Sequence, residues 1–261
     1  MNMRKKGKYA YSGYLFFRPA SAFVFPNERS NLVQAIEELG LKGRYPVIVL
    51  IGSEIDEQQA DVTRRAIQTI SKTAEDMNAV VVCGGRDIGV MAEIGQIRSQ
   101  NGYKFPLVAV TPEELVTWPG GPHSAKFLGW GEKRSQLESH YSHFILVPGG
   151  QFGDESQWLV DTATILSKDH QSVTILINGG EVSRKDIELS LEMGRPVIAL
   201  SRTGRLADEL ARQPNRNKLI TVIPANAEQR ITEVVQAALS INVNERSGEP
   251  VAFQVMDRIR S

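Results

Sequence analysis

The chain has 261 residues, 41% of them hydrophobic, with 30 basic and 30 acidic side chains and a formal net charge of zero. That is enough apolar material for one large α/β domain, and it lacks the cationic surplus that bulk nucleic-acid binding requires, so no nucleic-acid partner is expected. The single cysteine, Cys83, lies inside an apolar run, which excludes an internal disulfide and points to a core thiol in a cytoplasmic protein.

No apolar stretch has transmembrane length, and the basic opening MNMRKKGK is followed by aromatic residues rather than by an apolar signal core. No membrane association is expected. Residues 1–45 read as an N-terminal extension: YSGYLFFRPASAFVF suggests an edge hairpin, and a short helix follows at about 29–40. Seven apolar runs then read as strands, at 46–52, 79–84, 106–111, 143–148, 172–178, 195–201 and 218–224. Their near-continuous apolar character is that of strands buried on both faces, as in a parallel sheet.

Helical patterns alternate with these runs. Residues 57–77 place Val62, Ala66, Ile67 and Ile70 on one face. Further helices are expected at 89–99, 155–167 (Trp158, Leu159, Ala163, Leu166), 183–193, 204–212 and 226–240. In 183–193, Ser183 and Asp186 have the spacing of a capping box. Residues 241–261 read as a C-terminal tail. Strand and helix alternating at this spacing mean βαβ units. The expected fold is α/β, a Rossmann-like three-layer sandwich over residues 46–240, with a mostly parallel sheet of about seven strands flanked by helices.

The strand exits carry the functional signal. The first ends on Gly52, Ser53 and Glu54, and the second on Gly84, Gly85, Arg86, Asp87 and Gly89. The third ends at Thr111, and the fourth on Pro148, Gly149, Gly150, Gly153, Asp154 and Glu155. The fifth ends on Asn178, Gly179, Gly180 and Glu181, and the sixth on Ser201, Arg202 and Gly204. Glycine at an exit lets backbone N–H groups approach a ligand, and a helix starting just beyond adds its positive end. These residues are therefore candidates for binding a phosphate-bearing small molecule, with the Pro148–Glu155 loop as cradle.

A doubly wound sheet binds ligands where strand order reverses, which is expected to set Gly149 and Gly150 beside Gly52–Glu54. Arg86 stands where a phosphate would come, although it can equally pair with Asp87. Asn178 suits either a turn or a ligand contact. Asp154 and Glu155 read first as caps of the helix at 155–167 and second as the only candidate catalytic carboxylates. His140 and His143 lack a third ligand nearby, so no metal is expected. The long segment 112–142 reads as a lid. Its Trp118, Phe127, Trp130 and Tyr141 would stack a base, and its Lys126, Lys133 and Arg134 would face phosphates. The alternative is a surface excursion packing its own aromatics.

CGGRDIGVMAEIG, VAVTPEELVTWPGG, SHFILVPGGQFGDES and ILINGGEVSRKDIELSLEMGRPVIAL together resemble the SLOG superfamily, over about residues 45–215. That superfamily includes the Lonely-guy (LOG) phosphoribohydrolases, the DNA-processing protein DprA and the nucleotide-sensing domain of melastatin-type TRP channels. The likeness is greatest to the prokaryotic branch of the TRP-channel-like domain, called LSDAT. It implies a site for ADP-ribose, cyclic ADP-ribose or an NAD-related ligand, with no further cofactor required. A homo-oligomer or an effector protein would read out the binding. LOG enzymes use an Arg on the helix after the second strand, where Arg98 stands here, and a Glu in a Pro-Gly-Gly-x-Gly-Thr-x-x-Glu run. This chain has Gln151-Phe152 where one residue is expected and Asp154 in place of Thr. The resemblance therefore implies ligand binding first. Hydrolysis of an N-glycosidic or phosphate bond in a nucleotide is the alternative.

Overall fold

A computed structural model describes residues 3–5, 10–13, 21–119, 121, 134–168, 171–213 and 217–240. The chain opens with three short strands, β1 (Met3–Lys5), β2 (Ala10–Gly13) and β3 (Ala22–Val24), followed by helix α1 (Leu32–Glu38). Alternation then begins: β4 (Val47–Gly52), α2 (Ala60–Asp76), β5 (Val80–Cys83), α3 (Gly89–Gln100) and β6 (Leu107–Pro112). Two-residue strands β7 (Val116–Thr117) and β8 (Ser135–Gln136) pair with each other. The remainder is β9 (His143–Val147), α4 (Ser156–Ser167), β10 (Ser172–Ile177), α5 (Glu181–Glu192), β11 (Val197–Ser201), α6 (Arg205–Arg212), β12 (Ile220–Pro224) and α7 (Glu228–Leu239).

The strands form one sheet in the order β1-β2-β3-β9-β6-β5-β4-β10-β11-β12. From β3 to β12 every neighbouring pair is parallel, and only β1 and β2 run antiparallel at the edge. Alternation along each strand divides the core into two layers. Ile48, Leu50, Val81, Leu107, Phe144 and Ile175 face α2, α3 and α7 through Ile67, Ile70, Ile94 and Val235. Val47, Val49, Ile51, Val82, Val108, Ile145 and Val197 face α1, α4, α5 and α6 through Leu32, Leu159, Ile187 and Leu206. The architecture is thus a Rossmann-like α/β sandwich.

Two expectations are corrected. The strands at 46–52 and 143–148 are not neighbours: β5 and β6 lie between them. The sheet grows from β4 through β5 and β6 to β9, then restarts on the other side of β4 with β10, so strand order reverses between β4 and β10. The aromatics at the base of the 112–142 segment are core rather than a stacking surface. Trp118 is buried, packing on Phe23 and Phe25 with ring centroids 6.3 and 6.4 Å away. Tyr141 is buried against Phe144, and its hydroxyl donates to Met91 O at 3.0 Å. Arg134 donates from Nε to Glu114 O at 2.8 Å. Lys126, Phe127, Trp130 and Lys133 lie outside the described residues.

Candidate functional site

The reversal point carries a pocket of about 210 Å³ at the carboxyl ends of β4, β5 and β10. Gly52, Ser53, Gly84, Arg86, Glu155, Gly180, Glu181, Ser183 and Asp186 are among its lining residues. The parallel register brings Gly52 level with Ile177, so the exits of β4 and β10 open side by side.

Asn178 locks those two exits together. Its Oδ1 accepts from Ser53 N at 2.9 Å, from Ser53 Oγ at 3.0 Å, and from Gly179 N. Its Nδ2 donates to Glu54 O at 2.8 Å, and its own N–H donates to Thr203 Oγ1 at 2.8 Å. With the side chain 1% exposed, Asn178 shapes the pocket wall rather than touching its contents. Its φ of 49° is one that Asn tolerates better than most residues. The start of α3 is held equally tightly, because Val90 N donates to Ser53 O at 3.1 Å. A Cβ on Gly89, whose φ is +54°, would fall 2.1 Å from that same oxygen.

Charges of both signs meet at the pocket, with Arg86 and Glu155 close enough to act on each other. Arg205, at the start of α6, stands behind the lining residues: it donates from Nη1 to Ser53 Oγ at 2.7 Å and lies against Gly180. Arg86 stacks over the Phe152 ring at 4.2 Å. Burial lowers its pKa, and Glu155 opposes that. Glu155 and Asp186 line the same pocket. Burial raises the Glu155 pKa against the opposing hydrogen bonds and Arg86, while Gly153 N donates to its Oε2 at 2.6 Å. Asp186 on α5 is 7% exposed, and burial pushes its carboxyl up to about 7, with Ser156 opposing and Glu155 reinforcing. Its Oδ1 and the Ser156 Oγ are both buried, and the hydrogen bond between the two side chains is what opposes the rise.

The reach of Glu155 follows from topology. After β9 the chain must pass β6, β5 and β4 to join β10. Helix α4 makes that crossing, packed on β4, β5 and β10, so its first turn arrives above the reversal point. A second hollow of about 250 Å³ adjoins the pocket across Glu181 and Val182, and Phe152, Arg184 and Lys185 line it.

Residues 45–244 match the family model described as SLOG in TRPM, prokaryote. The chain belongs to this family. No curated protein matches it. The X-ray structure of a structural-genomics target, TM1055, is similar at a TM-score of 0.50 and 18% identity, over 73% of the SLOG chain and 98% of that chain. The molybdenum cofactor binding protein of the phototrophic bacterium Rippkaea orientalis is similar at 0.46 and 19%, over 74% and 98%. At such identities the first likeness speaks for the fold alone.

Several expected site residues of the SLOG chain lie elsewhere or are already engaged. Pro148, Gly149 and Gly150 leave the sheet at β9, separated from β4 by β6 and β5. The amides of Gly150 and Gln151 donate to Asp154 Oδ2 at 2.9 and 3.1 Å, so the loop closes on its own carboxylate. The bond from Gln151 is the chief reason that the Asp154 pKa is lowered. A Cβ on Gly150 meets nothing within 4 Å, so the loop is no tight cradle. Neither Asp154 nor Glu155 makes a side-chain cap to α4; both fold back onto the glycine turn. Helix α5 starts at Glu181, with Gly180 at its cap position, so Ser183 and Asp186 form no capping box.

Thr111 is buried in β6 at 1% exposure. Gly85, with a φ of +73°, backs onto Ala109, and Asp87 is exposed and forms no ion pair with Arg86 among the described residues. At the β11 exit the amides of Arg202 and Gly204 donate to Asp208 at 2.5 and 3.1 Å, so the Ser201–Gly204 turn is also closed internally. Arg98 is a structural staple, donating to Phe105 O at 2.8 Å and His140 O at 3.1 Å. His140 Nδ1 pairs with the buried Glu138 at 2.5 Å, and His143 with Ser142 at 2.8 Å. No cluster able to hold a metal, and no helix long and apolar enough to cross a membrane, occurs among the described residues.

Arg205 and Asp186 escaped the sequence reading. Arg205 directly follows a turn that had been noted, and a cation there was a readable signal. Asp186 matched a helix-cap spacing, which masked it. A larger groove of about 520 Å³ lies between α2 and α7, but Arg65–Glu228 and Lys72–Asp76, exposed ion pairs, line it, and the buried Thr73 at its wall already donates from Oγ1 to Thr69 O at 2.9 Å.

Proposed function

We propose that this SLOG chain binds a nucleotide-derived small molecule, of the ADP-ribose, cyclic ADP-ribose or NAD-related class, in the pocket between β4 and β10. The observation that carries the reading is the pairing of Ser53 with Arg205 at the reversal point, beside the start of α5. A hydroxyl, a guanidinium and a helix start meeting at open glycine exits suit an anionic group. Arg86 lines the pocket itself and supplies a cation there, while Arg205 acts from behind Ser53. Phe152, in the adjoining hollow, offers a ring face to a base.

Titration calorimetry with ADP-ribose, cyclic ADP-ribose, NAD and AMP tests this. At least one is expected to bind, and Arg205→Ala or Arg86→Ala is expected to weaken it by about 10–100-fold, the range of a charge-assisted hydrogen bond. Unchanged affinity in both variants counts against the site.

A second reading, hydrolysis of an N-glycosidic bond, is favoured by one observation: Glu155 and Asp186 line the same pocket with both pKa values raised. A pair of carboxyl groups at one pocket can supply an acid and a partner for an oxocarbenium-like transition state. Chromatography of the same mixtures separates the readings. Free base or nicotinamide appearing with time supports hydrolysis, and intact ligand supports binding alone.

A further inference from the structure

Arg86 lines the pocket half-buried, and its guanidinium keeps its donors. Among the described residues no acceptor takes a hydrogen bond from it, and no carboxylate pairs with it. Glu155 acts on it only across space, and Gly153 N already donates to that carboxylate at 2.6 Å. What the guanidinium does meet is the Phe152 ring, with Cζ 4.2 Å from the ring centroid. The contact is attractive and takes up none of the five N–H donors.

The ring is held in place for that contact. Phe152 sits in a turn tied down on both flanks. Before it, the amides of Gly150 and Gln151 donate to Asp154 Oδ2. After it, Gly153 N donates to Glu155 Oε2, and Lys185 Nζ reaches across from α5 to Gly153 O at 2.7 Å. The loop that leaves β9 thus carries a fixed ring to the exit of β5, where Arg86 stands. Asp154, which closes the loop against a phosphate, serves as its brace.

We propose that Phe152 is a positioning residue, whose ring holds the Arg86 guanidinium at the pocket wall with its N–H donors left for the ligand's anionic group. The inference rests on the ligand reading above and deepens it, because it gives Phe152 a task that does not need the ligand's base. A long side chain that is loose in the empty pocket must be immobilised when the ligand arrives. One already laid against a ring has lost much of that freedom beforehand.

The test is a double-mutant cycle with ADP-ribose on the full chain, read by amide chemical-shift titration, which follows affinities into the millimolar range. Phe152→Leu is expected to weaken binding by about three- to tenfold, the cost of immobilising one long side chain. Phe152→Tyr, which keeps the ring face, is expected to stay within about twofold of wild type. In an Arg86→Ala background the loss from Phe152→Leu is expected to shrink at least about threefold, since there is no guanidinium left to hold. Equal losses in both backgrounds mean that the ring acts on the base alone, which overturns the positioning role and leaves the ligand reading standing. So does a Phe152→Leu protein that binds as wild type does. The same spectra give a check without ligand: ring current is expected to shift the Arg86 Nε–H resonance upfield, and Phe152→Leu to return it to the position of an unstacked arginine. A resonance that does not move overturns the role as well. Failure of the wild type to bind ADP-ribose overturns the ligand reading, and the positioning role with it.

Discussion

At the scale of single residues, Asn178 and Asp186 have opposite roles. Asn178 is saturated by protein partners, and truncating it leaves Ser53 N, Gly179 N and Glu54 O unpaired at a buried junction. Asn178→Ala is expected to cost about 2–4 kcal/mol in a denaturant melt, through unsatisfied groups rather than lost volume. Asp186 is buried on α5, and burial raises its carboxyl from 3.8 to about 7. The folded protein holds this proton to higher pH than the unfolded chain does. The stability it contributes is therefore complete below about pH 4 and is lost as pH rises through 7, for a total of about 4 kcal/mol. Asp186→Asn removes the titration. Its melting temperature relative to wild type is expected to climb from pH 5 to pH 8, and a difference that stays constant with pH contradicts the assignment.

At the scale of elements, the base of the 112–142 segment belongs to the scaffold. Trp118, Leu137 and Tyr141 enter the core on the α3 side of the sheet, and Leu137 N donates to Thr117 O at 2.9 Å. Trp118→Ala is expected to destabilise the fold by about 3–5 kcal/mol, as large buried aromatics do. ADP-ribose affinity of the folded fraction should stay within about twofold of wild type, because Trp118 is not among the pocket's lining residues. A large loss of affinity without loss of stability would restore a stacking role. Helix α4 teaches a related lesson about elements. The order of its residues gives no hint that Glu155 reaches a pocket two strands away; the crossover from β9 to β10 does that.

At the scale of the molecule, most of the architecture is legible in the chain. Continuous apolar strands such as Val47–Gly52 and Val80–Cys83 can be buried only in a parallel sheet, and amphipathic helices such as Ala60–Asp76 can only cover it. Strand order is not legible, since nothing local to Pro148–Gly150 distinguishes a neighbour of β4 from a strand three places away. For the same reason the candidate residues divide. Those at the exits of β4, β5 and β10 converge. The turns after β9 and β11 instead engage Asp154 and Asp208, internal carboxylates that resemble ordinary loop residues in the sequence. The burial of a carboxyl such as Asp186 emerges only from packing.

The central claim is that the ligand sits where strand order reverses. The most direct measurement is a backbone amide chemical-shift titration of the full chain with ADP-ribose. The account predicts that the largest shifts fall on Ser53, Gly84–Arg86, Gly153–Ser156 and Gly180–Asp186. Shifts confined to Gly149–Gln151, or to Arg65, Lys72 and Glu228 in the larger groove between α2 and α7, would contradict it.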